Sequence, residues 1–338
     1  MKKATVVIPN WNGMKFLKAC LDSLLIQDTD DFEVLMIDNA SEDGSAEFVR
    51  AEYPSVRVDV MPENLGFAGG VNEGILRSET PYVILLNNDT ECAPGFVRAL
   101  IAAADRDPRI FSVSARMVNF YDRTLMDDAG DLYTVLGWGA QRGVGQPVSD
   151  RRYGKPKDVF SACGGAALYR REIFSEIGLF DPDHFAYLED IDVGYRARIY
   201  GYRNVYEPDA WVYHVGSGTS GSKYNEFKVR LSSRNALYLV YKNMPLFQRI
   251  VNAPALALGR QVKKRFFSKL GFSEAYNEGI QEAKAKRGDL KIVPYTKAHL
   301  PNYLRIEAEL IGNTAVYVTE FLRRHMPGRK KRDQGQSA

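Results

Sequence analysis

Five clusters of oxygen and nitrogen donors stand out in the chain: Asp38-Asn39, Asn64, Asn87-Asn88-Asp89, Glu189-Asp190-Ile191-Asp192 and His214. A carboxylate such as Asp89 suits a hard divalent cation, which takes oxygen ligands. Side-chain amides can donate to and accept from a nucleobase or a ribose. Neutral histidine is a common metal ligand, and a well-placed carboxylate can take a proton from a hydroxyl. Each cluster also has a plainer reading. Asp and Asn gather wherever strands turn, and a lone histidine behind an apolar strand is usually packed. Asp192 and Arg196 stand four apart, the spacing of an ordinary helical ion pair, so Asp192 is expected to be structural. Glu189 and Asp190 fall at a helix start, where the dipole favours the charged form. Asp190 is therefore expected to be ionised at neutral pH unless burial opposes it.

The elements that must carry these residues give the clusters a common location. Strands are expected at Thr5–Ile8, Glu33–Ile37, Val56–Val60 and Tyr82–Leu86, separated by amphipathic helical stretches such as Phe16–Leu25. Alternation of this kind predicts an α/β fold, a mostly parallel, doubly wound, Rossmann-like sheet. Asp38, Asn64 and Asn87-Asn88-Asp89 then all fall on the rim at the carboxyl ends of strands, where open α/β sheets bind ligands. Residues 118–160 are rich in Gly, Asp and Arg and lack periodicity, which marks a functional or mobile segment. Organisation resumes from Val159 to about Ser220. A helix is expected over 226–244. A final helix carries Leu304, Ala308, Ile311, Ala315, Val318 and Leu322 in alternating 4-3 spacing. That seam is expected to pack against the protein's own body, with a coiled-coil homodimer as the alternative.

Charge divides the chain. Residues 1–220 carry 22 Lys+Arg and 33 Asp+Glu, whereas 221–338 carry 23 and 9, although the net charge is only +3. A basic C-terminal region can meet an anionic surface. Within Leu246–Phe272, Phe247, Ile250, Leu258, Val262 and Phe266 alternate with Arg249, Arg260, Lys263, Lys264 and Lys269. Such a stretch can lie on an anionic membrane; Pro254 argues against one straight helix. No run reaches the ~20 apolar residues of a membrane span. The apolar start Ala4–Pro9 is too short for a signal peptide and reads as a strand. Cys20, Cys92 and Cys163 suggest neither a disulfide framework nor a zinc site and fit a reducing cytoplasm. Nothing in the sequence supports nucleic-acid binding.

Two enzyme classes fit poorly. A dinucleotide-dependent dehydrogenase needs Gly-x-Gly-x-x-Gly after the first strand, but Pro9-Asn10-Trp11-Asn12-Gly13 offers one glycine. A sugar nucleotidyltransferase would want a glycine-rich basic phosphate loop in the same place. A non-catalytic subunit that binds sugar nucleotides within a polysaccharide assembly complex is a third reading.

Eight motifs in register resemble family 2 glycosyltransferases of the GT-A fold, in particular bacterial rhamnosyltransferase-like enzymes of cell-surface polysaccharide synthesis. They are Val-Val-Ile-Pro-Asn-Trp-Asn (6–12), Ile-Asp-Asn-Ala-Ser-Glu-Asp-Gly-Ser (37–45), Asn-Leu-Gly-Phe-Ala-Gly-Gly-Val-Asn (64–72) and Leu-Leu-Asn-Asn-Asp-Thr (85–90). Four more follow: Cys-Gly-Gly-Ala-Ala-Leu-Tyr-Arg-Arg (163–171), Ile-Gly-Leu-Phe-Asp (177–181), Tyr-Leu-Glu-Asp-Ile-Asp-Val-Gly-Tyr-Arg (187–196) and His-Val-Gly-Ser-Gly-Thr-Ser (214–220). The resemblance covers about residues 4–245. It implies a GT-A domain over 1–225, with a nucleotide-binding half (1–117) and an acceptor half (118–225), followed by a helical basic extension (226–338) that ends in disorder around Arg329-Lys-Lys-Arg.

The resemblance also implies roles. Asp38 would contact the nucleotide base, with Pro9, Asn10 and Asn12 lining the same pocket. Asn64, Gly66, Phe67 and Asn72 would border the nucleotide and donor sugar. Asn88 and Asp89 would occupy the Asp-x-Asp site for Mn²⁺ or Mg²⁺, His214 would approach the metal, and Asp190, beside Glu189, would deprotonate the acceptor. Asn87 stands where the family pattern has its first Asp, leaving Asp89 as the one full charge there. The implied reaction is inverting transfer from dTDP-rhamnose or a UDP-sugar to a glycan or lipid-linked acceptor. Its implied location is cytoplasmic, peripheral at the inner face of the membrane.

Overall fold

A computed structural model describes residues 2–216 and 224–325. The end of the motif at 214–220 and the basic residues after 325 lie outside the described residues. The N-terminal half runs β1 (Ala4–Asn10), α1 (Met14–Leu25), β2 (Phe32–Asp38), α2 (Ser45–Glu52), β3 (Val56–Val60), α3 (Gly66–Arg77), β4 (Tyr82–Leu86), β5 (Thr90–Cys92), α4 (Phe96–Ala104) and β6 (Ile110–Asn119). Strands β1 to β4 match the four expected strands to within two residues, whereas β5 and β6 were not expected. The segment without periodicity holds four short strands, β7 (Met126–Asp128), β8 (Asp131–Tyr133), β9 (Gly139–Gln141) and β10 (Lys157–Val159). Three residues are too few to display a period, so these strands left no signal in the sequence. Then come β11 (Ala166–Arg170), the single turn α5 (Phe174–Ile177), α6 (Glu189–Ile199) and β12 (Arg203–His214).

The main sheet has the order β10-β12-β6-β11-β4-β1-β2-β3, with β5 paired to β12 and β7 to β6. Strands β3, β2, β1 and β4 are parallel, β11 is antiparallel to both β4 and β6, and β12 is parallel to β6. Six long strands thus point one way and β11 alone reverses among them. Both faces are covered, which explains the continuous apolar run in β4. Val6 and Ile8 face α1 and α4 through Leu17, Leu21, Phe96 and Leu100, while Val7 faces α3 and α6 through Val71, Ile75 and Val193. Alternation with period two decides which side each residue serves.

Five helices complete the described chain: α7 (Glu226–Asn243), α8 (Leu246–Val251), α9 (Ala253–Lys269), α10 (Ser273–Ala285) and α11 (Leu300–His325). Pro254 separates α8 from α9 and sits in the first turn of α9, where its missing N–H costs nothing. A third apolar cluster joins Tyr133, Ile191 and Tyr195 of the sheet domain to Leu239, Leu256, Tyr303, Ile306 and Leu310 of these helices. The division expected at residue 225 therefore crosses a shared core. Among the described residues no helix is long and apolar enough to cross a membrane.

One expectation is reversed. The Leu304–Leu322 seam of α11 does not pack on the protein's own body. Tyr303, Ile306, Leu310 and Asn313 are buried instead, and Leu304, Ile311, Val318 and Leu322 are exposed. The body takes the opposite face of the helix because Tyr133, Arg198 and Tyr153 offer partners to its polar side chains there.

Candidate active site

All the strand tips named from the sequence meet on one rim. On β1, Asn10 donates from Nδ2 to Asp38 Oδ1 at 2.9 Å and accepts at Oδ1 from Asn88 Nδ2 at 2.7 Å. Three tips, β2-β1-β4, are thereby stitched together by one amide. Asp38 is wholly buried and also accepts from Ser41 N and Ser41 Oγ. These bonds tie the carboxylate to Asn10 and Ser41 at the tip where a base contact is expected. Asn12 adopts φ +50° and accepts at Oδ1 from Glu42 N, closing the loop beside Pro9.

The second wall begins at α3. Asn64 Oδ1 accepts from Gly66 N at 2.9 Å and caps the turn. Gly66 has φ +70°, and a Cβ there would lie 2.6 Å from the carbonyl oxygen of Phe185, so only glycine lets the backbones approach this closely. Phe67 lies against Gly164 and next to Asp190: a Cβ on Gly164 would stand 3.2 Å from the Phe67 ring and 3.7 Å from Asp190 Cβ. Asn72, half-buried, is held from the far side. Its amide donates to Phe180 O and accepts from Phe180 N, which makes it a clamp between α3 and the chain before α6.

Asp89 meets His214 across 125 positions of sequence, because β5 runs antiparallel to the end of β12 and pairs Thr90 with His214. His214 Nε2 stands 3.3 Å from Asp89 Oδ1, and Nδ1 stands 2.7 Å from Asp127 Oδ2. Burial opposes a charge on the imidazole, but hydrogen bonds to Asp127 and Asp89 outweigh it and raise its pKa to about 10. At neutral pH the ring thus carries a proton on each nitrogen, and a divalent cation beside Asp89 would have to displace the one on Nε2, since only neutral imidazole ligates. An Asp oxygen and an imidazole nitrogen converge, and Asp127 occupies the other ring nitrogen, as carboxylates behind metal-bound histidines do. Sequence reading missed Asp127. Its signal was the acidic run Asp127-Asp128-Ala129-Gly130-Asp131 inside the segment without periodicity.

Asp190 lies at the start of α6, half-buried, and accepts from Gly164 N at 3.2 Å and Ile191 N at 2.8 Å. Gly164 reaches this rim because β11 is reversed and begins here. Burial raises the Asp190 pKa, with those two N–H groups acting against the rise. Burial thus opposes the dipole, as the sequence reading allowed. Glu189 is not a second open carboxylate. It is buried, Oε2 has no hydrogen-bond partner, and burial together with the Asp190 charge pushes its pKa well up. Beneath them, Asp128, Asp131 and Cys163 place ligand atoms within 4.8 Å of one another. Burial raises both carboxyls, and the neighbouring acidic groups add to the rise.

The chain before α6 is strained. Phe185, Tyr187 and Leu188 all have positive φ, at 61°, 72° and 67°. Asn235 of α7 holds this turn, donating from Nδ2 to His184 O, Ala186 O and Tyr187 O at 3.0, 2.9 and 2.8 Å. Arg234 adds bonds to Asp183 O and His184 O. Below the turn, Asp192 binds Arg196, Lys242 and Asn243. Asp192 is structural, as expected, and it ties α6 to α7.

Comparison with known proteins agrees with this architecture. The chain is 29% identical over 237 residues to an N-acetylglucosaminyl-diphospho-decaprenol L-rhamnosyltransferase of Mycobacterium tuberculosis, covering 64% of this chain and 77% of that protein. It is 25% identical over 238 residues to a poly-beta-1,6-N-acetyl-D-glucosamine synthase of Staphylococcus aureus, spanning 55% of that protein's length. Similar solved structures include GalNAc-T7 with UDP, GalNAc and Mn²⁺ (TM-score 0.58, 16% identity, 97% of this chain and 58% of that one). Another is TarS residues 1–349 of S. aureus in complex with UDP (TM-score 0.53, 19% identity, 97% and 93%). These likenesses establish the GT-A fold. The profile described as "Glycosyl transferase family 2" matches residues 5–178. With a matching profile over half its length, a GT-A sheet and its acidic groups gathered on the rim, the chain is a rhamnosyltransferase-like glycosyltransferase that belongs to glycosyl transferase family 2.

Proposed function

We propose that the protein is an inverting, divalent-cation-dependent transferase. It moves a sugar, rhamnose in the favoured case, from a nucleoside diphosphate donor to a hydroxyl of a lipid-linked glycan. The observation that carries this reading is the Asp89–His214 pair at 3.3 Å on the same rim as Asp190. Asp89 and His214 would hold Mn²⁺ or Mg²⁺, which would stabilise the charge left on the departing diphosphate. Asn10, Asn12, Asn64 and Asn88 frame the nucleotide side, and Gly66 and Phe67 border the donor sugar. Asp190 takes the proton of the acceptor hydroxyl. The acceptor oxygen then bonds to the anomeric carbon as the bond to the diphosphate oxygen breaks. Asp190 is the one candidate base on this rim, and among the described residues no separate nucleophile is identified beside it, which favours a single displacement and hence inversion.

The donor choice, dTDP-rhamnose ahead of a UDP-sugar, rests on likeness to the mycobacterial rhamnosyltransferase. So does a diphosphate-lipid-linked acceptor. Helices α8 and α9 support work at the inner face of the cytoplasmic membrane: they expose Leu246, Ile250, Leu258, Val262 and Phe266 beside Arg249, Arg260, Lys264 and Lys269. Transfer should be measured across dTDP- and UDP-sugars, with and without Mn²⁺, for wild type and Asp190→Asn. Metal-dependent transfer that Asp190→Asn abolishes while still binding donor is expected. Turnover near wild type in a folded Asp190→Asn chain would overturn the assignment of the base. Flotation with anionic liposomes, absent in the intact protein, would overturn the membrane reading alone.

A further inference from the structure

Helix α11 has two faces, and the body of the protein uses one. Tyr303, Ile306 and Leu310 are buried in the third apolar cluster. Asn313 donates to Tyr133 O, Thr314 Oγ1 accepts from Val135 N, and Glu309 pairs with Arg198 at 2.7 Å. Glu320 accepts from Gly143 N and Tyr153 OH. The helix is therefore anchored along most of its length, and its position is settled without the other face.

That other face is the seam Leu304, Ala308, Ile311, Ala315, Val318 and Leu322, and all six residues are exposed. At 3.6 residues per turn they fall within a stripe about 80° wide, roughly opposite the anchored face. The stripe is narrower than the apolar face of a helix that packs on a core, and its 4-3 period is that of a helix-to-helix seam. Gly312 lies at its edge, and a Cβ there would meet nothing within 4 Å. The protein's own packing gives no reason for a helix-weakening glycine at that place, whereas a closely approaching backbone does.

The seam is also a palindrome in space. Reflected about position 313, Leu304 faces Leu322, Ala308 faces Val318, and Ile311 faces Ala315. In two of these three pairs a small residue opposes a large one, so the column interdigitates with a reversed copy of itself. Self-complementarity of one patch is what a two-fold interface requires. We propose that α11 is a homodimer interface, in which two copies pair antiparallel along Leu304–Leu322 about a two-fold axis at Asn313. Because the anchored face holds α11 rigid, little ordering is needed on association. The seam is about 28 Å long, at the small end of specific interfaces, so exchange between monomer and dimer should depend on concentration.

The test uses the full chain. Sedimentation over about a hundredfold concentration range should show a monomer–dimer equilibrium. Ile311→Glu should remain monomeric at every concentration, with an unchanged circular dichroism spectrum and unchanged donor binding. The register is tested with cysteines. Leu304→Cys combined with Leu322→Cys should cross-link two chains under mild oxidation, whereas Leu304→Cys alone should not, since its copy stands about 27 Å along the axis. Cross-linking by Leu304→Cys alone would overturn the antiparallel register. A wild-type chain that stays monomeric throughout would overturn the dimer. So would Ile311→Glu abolishing liposome flotation of a monomeric wild type, which would assign the seam to a lipid surface.

Discussion

His214 Nδ1 stands 2.7 Å from Asp127 Oδ2 while its Nε2 turns toward Asp89. The two residues are 87 positions apart and meet because β7 and β12 both pair with β6, on opposite sides. Asp127 fixes the orientation of the ring, and in the proposed function Nε2 would be the nitrogen that meets the cation. Losing it should weaken the metal site without removing a metal ligand.

Asp127→Ala should therefore lower Mn²⁺ affinity about 10–100-fold. Titration of free Mn²⁺ by electron paramagnetic resonance, with nucleoside diphosphate present, reads this independently of turnover. His214→Ala should lose at least as much. Affinity equal to wild type in Asp127→Ala would reject the orienting role.

Asn235 lies outside the span matched by the family profile, yet it holds the three carbonyls of the strained turn before Asp190. Replacement by Leu removes the side-chain donor to Ala186 O and Tyr187 O, while His184 O keeps its bonds from Arg234 and Ala186 N, at a cost of about 1–3 kcal/mol of stability. Displacement of Asp190 should cut kcat by about 10–100-fold, with donor KM little changed. A drop in stability with kcat intact would make Asn235 a purely structural residue.

His184 gives a pH dependence. It is fully buried against Tyr238, and burial depresses its pKa to about 4. Between the unfolded value near 6.5 and about 4, the unfolded chain binds a proton that the folded chain refuses. Its contribution is complete above pH 6.5 and is lost as pH falls toward 4, about 3 kcal/mol in all. Urea unfolding of wild type and His184→Phe at pH 7.5 and 4.5 isolates this difference from the buried carboxyls, of which the raised Asp128, Asp131 and Glu189 act with the opposite sign and the lowered Asp192 with the same sign. Wild type should lose stability relative to the variant as pH falls. Parallel pH profiles would rule this out.

Much of the fold was legible because its signals are local. Short apolar runs in β1, β2 and β4, helical spacing in α1 and α4, and polar residues at strand tips are each written within a dozen residues. Tip composition delivered Asp38, Asn64 and Asp89 to one rim once the strands were taken as parallel, and the family resemblance added Asn10, Asp190 and His214. Partners decided the rest. Nothing local to Asn72 or Asp38 announced that they bond Phe180 and Ser41. Glu189 and Asp190 are neighbours in the chain, yet the first turn of α6 faces one inward and leaves the other half-open.

What the sequence determined by itself was the α/β alternation, the motif set of the family and the 4-3 seam of α11. Tertiary structure alone decided which residues meet. Asp127 joined His214 through strand order, Asn235 reached the turn before Asp190 from a helix beyond the sheet, and the seam proved to face outward. The physical reason is that periodicity states how a residue lies within its own element. Partnership depends on strand order and on which face buries more and satisfies more polar groups, and neither is encoded within one element.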